Sequence, residues 1–158
     1  MIRSEAEYQE ALRRLEQDRA VAAAQRDALA SSGLTAAEVE HAMEPLRSFQ
    51  AQLEEEVAWY EEVRRRNFPA IRRLTQIGRL IIALRIANGL TQRELAARLG
   101  VSEAVVSRDE RNEYHGITVE RAQRILDALG ASVVTHVEED GPAQPPALLT
   151  PTRELAIA

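Results

Sequence analysis

Apolar residues recur every three or four positions along the first 66 residues, against a largely polar background. Between residues 4 and 31 this seam comprises Tyr8, Leu12, Leu15, Ala22 and Leu29. Between residues 36 and 66 it comprises Val39, Ala42, Leu46, Phe49, Leu53, Val57 and Tyr60. Such spacing is typical of a helix with one narrow apolar stripe. The pattern therefore predicts two long helices, 4–31 and 36–66.

The segment between these two helices is short and carries turn signals. Gly33 suits the left-handed position that follows a helix end, and Thr35 with Glu38 has the spacing of a capping box. A short connection favours an antiparallel, coiled-coil-like helical hairpin. Pro45 lies inside the second helix and predicts a kink or a restart near Glu44.

One apolar seam per helix gives this hairpin only a thin core. We expect the seam to be buried against a second copy of the chain, which makes the protein a homodimer. A different protein partner and the C-terminal part of the same chain are the two alternatives.

Residues 70–130 have the pattern of a compact bundle of short helices. The inward-facing positions of its first helix, expected over residues 71–88, are Ile77, Leu80, Ile81 and Leu84. Its last helix is expected over residues 119–129, with Thr118 as the N-terminal cap. The β-branched residues of 131–137 predict a short strand. From Glu138 onward the chain is acidic and rich in proline, and is predicted to be a disordered tail.

A proline and five arginines separate the hairpin from the bundle. The residue before Pro69 avoids helical geometry, so residues 67–69 mark a boundary. The arginines around it are Arg64, Arg65, Arg66, Arg72 and Arg73. They are interpreted either as a solvated basic turn that complements a helix C-terminus or as contacts to phosphate.

Charge is divided unevenly along the chain, whose formal net charge is −5. Residues 1–63 carry 6 Arg against 14 acidic residues, residues 64–130 carry 13 Arg against 7, and residues 131–158 carry 1 Arg against 4. An acidic part joined to a basic part indicates a nucleic-acid-binding segment attached to something else.

Composition argues against several other classes of protein. The absence of Cys removes disulfides, thiol catalysis and zinc fingers. His41, His115 and His136 lack metal-ligand spacing, and no glycine-rich phosphate loop follows a strand. We therefore expect no enzyme, no metal site and no cofactor. No apolar run approaches the roughly 20 residues of a membrane span, and no signal peptide opens the chain, so a cytoplasmic protein is expected.

The stretch GLTQRELAARLGVSEAVVSRDERNE, residues 89–113, carries the main functional signal. Thr91 is placed to cap one short helix, Gly100 to end it, and Ser102 to cap the next. Ala96 is small enough for the second helix to cross closely above it. These spacings predict two helices at a steep angle, the helix-turn-helix arrangement.

Residues 76–130 resemble the XRE/Cro-like helix-turn-helix domain of phage repressors and many bacterial regulators. The residues that carry the resemblance are LRIANGLTQRELAARLGVSEAVVSRDERN and the closing helix end ILDALG. The resemblance implies a lambda-repressor-like bundle that binds double-stranded DNA. It also implies that Gln92 contacts a phosphate and that Arg85 pairs with Glu110 inside the domain.

By position in that family, the residues that read bases are Glu103, Ala104, Ser107 and Arg108. Their chemistry agrees, because Arg108 can chelate guanine, Glu103 can accept from cytosine N4 and Ala104 can touch a thymine methyl. The free N–H groups that follow Ser102 can hold a phosphate, and Arg111 is a further candidate for phosphate contact.

Two residues depart from the family pattern. Asp109 stands where an apolar or aromatic residue is common, so it either weakens one edge of the core or faces solvent in a rotated helix. Asn112 stands where Gly is usual, and Asn tolerates the left-handed conformation expected there.

Together these patterns predict an all-α protein that regulates transcription. We expect a dimeric repressor that places the helix 102–112 in the major groove of a palindromic operator. The hairpin is the first expected dimer contact and residues 131–137 are the second. One alternative is an antitoxin-type protein that neutralises a toxin through the hairpin or the tail and represses its own operon. The other is a helical scaffold protein that does not bind DNA.

Overall fold

The computed structural model describes residues 1–68 and 70–136. These residues fold into a long helical hairpin followed by a bundle of short helices. The helices are α1 (Glu5–Ser31), α2 (Ala36–Arg64), a 3-10 turn (Leu74–Gln76), α3 (Ile77–Ala87), α4 (Gln92–Leu99), α5 (Glu103–Arg111) and α6 (Val119–Leu129). Over the described residues the fold is all-α, as predicted. The predicted tail from Glu138 onward lies outside the described residues.

The turn between α1 and α2 has the predicted caps. Gly33 follows the end of α1 with a φ of 87°, a left-handed conformation that glycine adopts without strain. The Thr35 hydroxyl accepts from the backbone N–H of Glu38 at 3.4 Å, and the Glu38 carboxylate accepts from the backbone N–H of Thr35 at 2.8 Å. This capping box sets the residue at which α2 begins.

The sequence predicted a kink or a restart near Glu44, and the restart is wrong because the second helix continues across Pro45. Proline removes one backbone donor, and the carbonyl that loses its partner is that of His41. Both residues are exposed, so water can satisfy this carbonyl. The helix ends before the predicted residue 66, because Arg66 adopts a φ of 62° and donates its backbone N–H to the carbonyl of Val63 at 2.9 Å.

The first helix of the bundle begins later than residue 71, where the sequence predicted its start. Arg73 is extended, with φ of −131° and ψ of 135°, so no α-helix can pass through it. The side-chain oxygen of Gln76 accepts from the backbone N–H groups of Arg72 and Arg73 at 2.9 and 3.1 Å. These two bonds hold the approach to α3 in its non-helical form.

One continuous hydrophobic core runs from the base of the hairpin into the bundle. The hairpin contributes Ile2, Ala11, Leu15, Val57, Tyr60 and Val63. The largest fully buried apolar side chains of the bundle are Ile81, Ile82, Leu95, Val106 and Ile125. Since α2 packs on α3, the proximal half of the hairpin, residues 1–17 and 51–66, buries its seam within its own chain.

The distal half of the hairpin, residues 18–50, buries far less. Its buried side chains are Val39 and Met43. Phe49 is 70% exposed and Val21 is 51% exposed, although Phe49 belongs to the predicted seam. This half therefore keeps apolar surface that the described part of the chain does not cover.

Residues 131–136 form no strand, so the predicted short strand is wrong for these residues, and position 137 lies outside the described part. A strand needs a second strand edge to satisfy its backbone groups. Within residues 1–68 and 70–136 there is no such edge.

Candidate nucleic-acid interface

The first helix of the motif, α4, is fixed at both ends by the residues that the sequence indicated. The Thr91 hydroxyl accepts from the backbone N–H of Glu94 at 3.1 Å, and the Glu94 carboxylate accepts from the backbone N–H of Thr91 at 2.7 Å. The bond from the Thr91 backbone is the main reason that the pKa of Glu94 lies below its ordinary value of 4.5. Gly100 ends α4 with a φ of 67°.

The turn that follows brings α5 closely across α4. Val101 donates its backbone N–H to the carbonyl of Ala96 at 3.0 Å. Leu95, Ala96 and Val106 are buried where the two helices meet. The small side chain at position 96 allows this close crossing, and the result is a helix-turn-helix.

A buried polar network ties α5 to α3 and α4. Glu110 is completely buried and accepts from Arg85 Nε at 2.5 Å, from Arg85 Nη2 at 2.7 Å and from Gln92 Nε2 at 2.8 Å. Arg85 also donates to the carbonyls of Leu90 and Arg3, at 2.7 and 2.9 Å. Both buried charges are thus paired and hydrogen-bonded, which is the condition for tolerating them in a core. The network holds α5 in one orientation.

Gln92 belongs to this buried network through one of its amide N–H groups. The resemblance implied a phosphate contact for this residue, whereas its amide donates to Glu110 within the protein. The other amide N–H and the side-chain carbonyl are left over for an outside partner. No signal in the sequence pairs positions 92 and 110, because their contact depends on the angle between α4 and α5.

The predicted base readers share the outer face of α5. Glu103, Ala104 and Arg108 are exposed and Ser107 is half-buried. The Arg108 side chain is 74% exposed, and its Nε lies 3.7 Å from an Asp109 carboxylate oxygen. This loose contact leaves most of the guanidinium donors of Arg108 directed to solvent.

The two predicted phosphate-binding positions on α5 lie at its opposite ends. Ser102 occupies the N-cap with extended backbone, but its hydroxyl makes no capping hydrogen bond. The prediction that the Ser102 side chain caps α5 is therefore wrong. The N–H groups in the first turn of α5 have no acceptor from this side chain. Arg111 is exposed in the last turn.

Asp109 is neither a defect in the core nor a freely solvated residue. Its carboxylate accepts from Arg121 Nη2 of α6 at 2.5 Å, and its side chain is mostly buried. The ion pair explains how an acid occupies a position where an apolar residue is common. The partner could not be found from sequence, since the loop between α5 and α6 decides which residues of the two helices meet.

The loop after α5 also differs from the expectation for Asn112. This residue has a φ of −91°, whereas Glu113 and Tyr114 have φ of 48° and 53°. The expected left-handed conformation therefore falls one residue later. Tyr114 donates its backbone N–H to the carbonyl of Asp109 at 2.7 Å, and its ring is buried. Burial, followed by the nearby carboxylate of Glu110, raises the pKa of the Tyr114 phenol above its ordinary value of 10.0.

Three of the five arginines between hairpin and bundle have partners within the protein. Arg64 contacts Glu5 at 3.0 Å, and Arg65 contacts Glu62 at 2.8 Å. Arg66 donates to the Asn88 side chain at 3.0 Å. These contacts favour the interpretation of a solvated basic turn over that of a phosphate site for Arg64, Arg65 and Arg66.

The fold and the exposed face of α5 together define the class of the bundle, a helix-turn-helix domain. Residues 81–135 match the family model described as Helix-turn-helix, and this segment is a helix-turn-helix domain of the XRE type. The match supports a role for this segment in DNA binding and transcription regulation. No curated protein and no solved structure matches the chain. None of the described helices is long and apolar enough to cross a membrane.

Proposed function

We propose that the protein is a dimeric transcriptional repressor that places α5 in the major groove of a palindromic operator. The observation that carries the proposal is the exposed face of α5, which the buried network of Arg85, Gln92 and Glu110 supports from beneath. A helix held in one orientation presents its side chains to base edges with little further ordering.

Each residue of this face has a distinct role in the proposal. Arg108 donates two hydrogen bonds to O6 and N7 of guanine, and Glu103 accepts from N4 of cytosine. Ala104 contacts a thymine methyl, and Ser107 bonds a base edge. The acid at position 103 is thus a source of specificity and not an obstacle to DNA binding.

Phosphate contacts fix the position of α5 on the duplex in this proposal. The free N–H groups after Ser102 bind one phosphate through the positive end of the helix. Gln92 uses its remaining amide N–H, and Arg111 contacts the backbone beyond the other end of α5. These contacts carry no sequence information but contribute affinity that depends on salt.

The acidic hairpin does not prevent this binding. Electrostatic effects between exposed charges decay over about 8 Å at physiological salt, so the basic charge of residues 64–130 dominates near the duplex. Exposed acids that lie farther than this from the duplex are screened and change its affinity little.

Dimer formation is assigned to the distal half of the hairpin. One module contacts too few base pairs for strong specificity, and helix-turn-helix dimers bind half-sites about 34 Å apart. The support for this contact is the exposure of two apolar side chains on this half of the hairpin, Phe49 at 70% and Val21 at 51%. Residues 131–137 are the second choice, and Val134 is exposed there.

The dimer contact is tested with single substitutions, because deletion of the hairpin would open the core that it shares with the bundle. Phe49→Glu should convert the dimer to a monomer in sedimentation, and Val134→Asp should not. A protein that stays dimeric with Glu at position 49, and becomes monomeric with Asp at position 134, would move the interface to the C-terminal segment.

DNA recognition is tested by selecting sites from a random duplex library with the full chain. The selected sites should contain two inverted half-sites. Arg108→Ala should then weaken binding by about 1–3 kcal/mol and relax the preference at one base pair of each half-site. Arg111→Ala removes an exposed side chain outside the buried network and should weaken binding about equally on all sequences. Equal losses on all sequences for both variants would refute the division of roles.

Two alternative functions predict different experimental outcomes. In the antitoxin alternative, the exposed surface around Phe49 holds a toxin, and a small partner then co-purifies with the untagged protein from its native host. In the scaffold alternative, no selected site emerges, and a shift assay with random duplex shows no salt-dependent binding.

A further inference from the structure

A cavity of about 220 Å³ lies where the hairpin meets the start of the bundle. Its apolar wall consists of Trp59 from α2 together with Ala70, Ile71, Leu80 and Ala83. An engineered apolar cavity of about 150 Å³ is enough to bind benzene. The volume here therefore fits one ring with a small substituent.

The polar side of this cavity contains donors. Gln76, at the end of the 3-10 turn, and Arg79, in the first turn of α3, line it. The Gln76 oxygen is occupied by two backbone N–H groups, so the amide that remains is a donor. Arg79 forms no ion pair within residues 1–68 and 70–136. Two donors beside an apolar wall suit a carboxylate attached to an apolar body.

A second cavity of about 290 Å³ adjoins the first and shares Trp59 and Arg79 with it. Its wall includes Glu55 and Glu56, and Glu56 already contacts the amino group of Met1 at 2.7 Å. These acids disfavour an anion on that side. The carboxylate is therefore placed toward Gln76.

We propose that this junction cavity binds a small monocarboxylate with a ring-sized apolar body. The ring contacts Trp59 and the aliphatic wall, and the carboxylate accepts from Arg79 and Gln76. The site takes one wall from the hairpin and the other from the segment that enters the bundle. This proposal is independent of DNA binding, so its failure would leave the proposed function intact.

The test uses Trp59, the only tryptophan of the chain, as an internal reporter. Cyclohexanecarboxylate is titrated into the full-length protein while the tryptophan emission is recorded, and the neutral cyclohexanecarboxamide serves as the matched probe. We expect a saturable change with the carboxylate and about tenfold weaker binding of the carboxamide, because one charge-assisted hydrogen bond is lost.

Three variants complete the test, each checked for unchanged helical circular dichroism. Arg79→Gln should weaken carboxylate binding about tenfold, and Ala70→Leu should abolish saturation by filling part of the cavity. Arg124→Gln removes an exposed arginine of α6 that does not line the cavity, and should leave binding unchanged. A change that does not saturate, equal binding of both probes, or full affinity in Arg79→Gln would each overturn the proposal.

Discussion

The proximal half of the hairpin (its base) and the distal half (its tip) differ in how much apolar surface they bury, although the same two helices form both. At the base, Leu15, Tyr60 and Val63 join the core of the bundle and are almost completely buried. At the tip, Phe49 and Val21 are exposed and do not belong to this core. The comparison teaches that two helices alone bury little of an apolar seam: the tip buries Val39 and Met43, whereas the base buries most of its seam against the bundle.

Charges show the same contrast between core and surface. The pair of Arg85 and Glu110 is buried and bidentate, and three further donors or acceptors surround it. The pairs along the hairpin, such as Arg19 with Glu54 and Arg13 with Glu10, lie in solvent. Exposed pairs of this kind contribute little to stability, whereas breaking a buried pair leaves an uncompensated charge.

The largest effect is expected from Glu110→Ala. Its loss leaves the Arg85 guanidinium buried without a counter-charge, which should lower the free energy of unfolding by about 3–5 kcal/mol. Urea unfolding followed by circular dichroism measures the change. Glu10→Ala, which removes an exposed partner, is the matched control and should give no measurable shift. Similar losses in both variants would mean that the buried network does not stabilise the domain.

The second effect compares the base of the hairpin with its tip. Leu15→Ala removes a buried side chain and should cost about 2–4 kcal/mol, through lost transfer free energy and the cavity left behind. Phe49→Ala should leave the unfolding free energy of dilute, monomeric protein nearly unchanged. Chemical unfolding at several protein concentrations separates folding from association. A large loss for Phe49→Ala in dilute protein would place that ring inside the chain's own core.

The third effect concerns how closely the loop after α5 approaches α3. A Cβ on Gly78 would lie 1.9 Å from the carbonyl oxygen of Glu113, so Gly78→Ala should cost about 1–3 kcal/mol through overpacking. Gly33 at the tip has nothing within 4 Å of such a Cβ but has a left-handed φ of 87°. Gly33→Ala should therefore cost about 1 kcal/mol, from backbone strain alone. Thermal unfolding of both variants measures the difference, and equal losses would contradict the close contact.

The smallest effect is a pH dependence that arises from the two capping boxes. Bonds from the Thr35 and Thr91 backbones hold the pKa of Glu38 and of Glu94 below their ordinary value of 4.5. A carboxyl whose pKa is lower in the folded state stabilises the fold above 4.5 and loses that contribution as the pH falls through its folded pKa. Glu94→Gln should therefore make the stability less sensitive to acid below that pH.

The corresponding substitution at the tip, Glu38→Gln, is expected to have a local effect rather than a global one. Since α2 begins far from the shared core, Glu38→Gln should change hydrogen exchange in the first turn of α2 and leave global unfolding nearly unaltered. Exchange measured by mass spectrometry at acid and neutral pH distinguishes local from global opening. Equal effects of both substitutions on global unfolding would show that the tip and the bundle unfold as one unit.

Local signals in the sequence predicted most of the helices and their caps. Thr35, Thr91 and Thr118 cap the helices that they were expected to cap, because a capping bond joins residues only a few positions apart. The boundary errors are also local, but they arise from side-chain contacts and backbone conformations that residue type alone does not indicate. Gln76 holds the approach to α3 out of helical form, and Glu113 takes a left-handed conformation that suited Asn112 better.

The candidate nucleic-acid interface likewise contains features that the sequence indicated and contacts that it did not indicate. The exposed face of α5 follows from helical periodicity, and the pairing of Arg85 with Glu110 was implied only by resemblance to a family. The contacts of Asp109 with Arg121 and of Gln92 with Glu110 were missed. Each joins two helices whose relative angle is set by packing.

The sequence by itself determined that the described elements are helices and that two of them form a helix-turn-helix. The periodicity, the capping residues and the helix-turn-helix spacing relate residues that are close in sequence, so they can be recognised without the tertiary structure. Only the tertiary structure decided that α3 covers the base of the hairpin and leaves Phe49 exposed, and that a cavity opens beside Trp59. These features depend on how helices far apart in sequence fill space together. Whether a side chain is buried depends on the residues that pack around it, and many of those residues lie far away in the sequence.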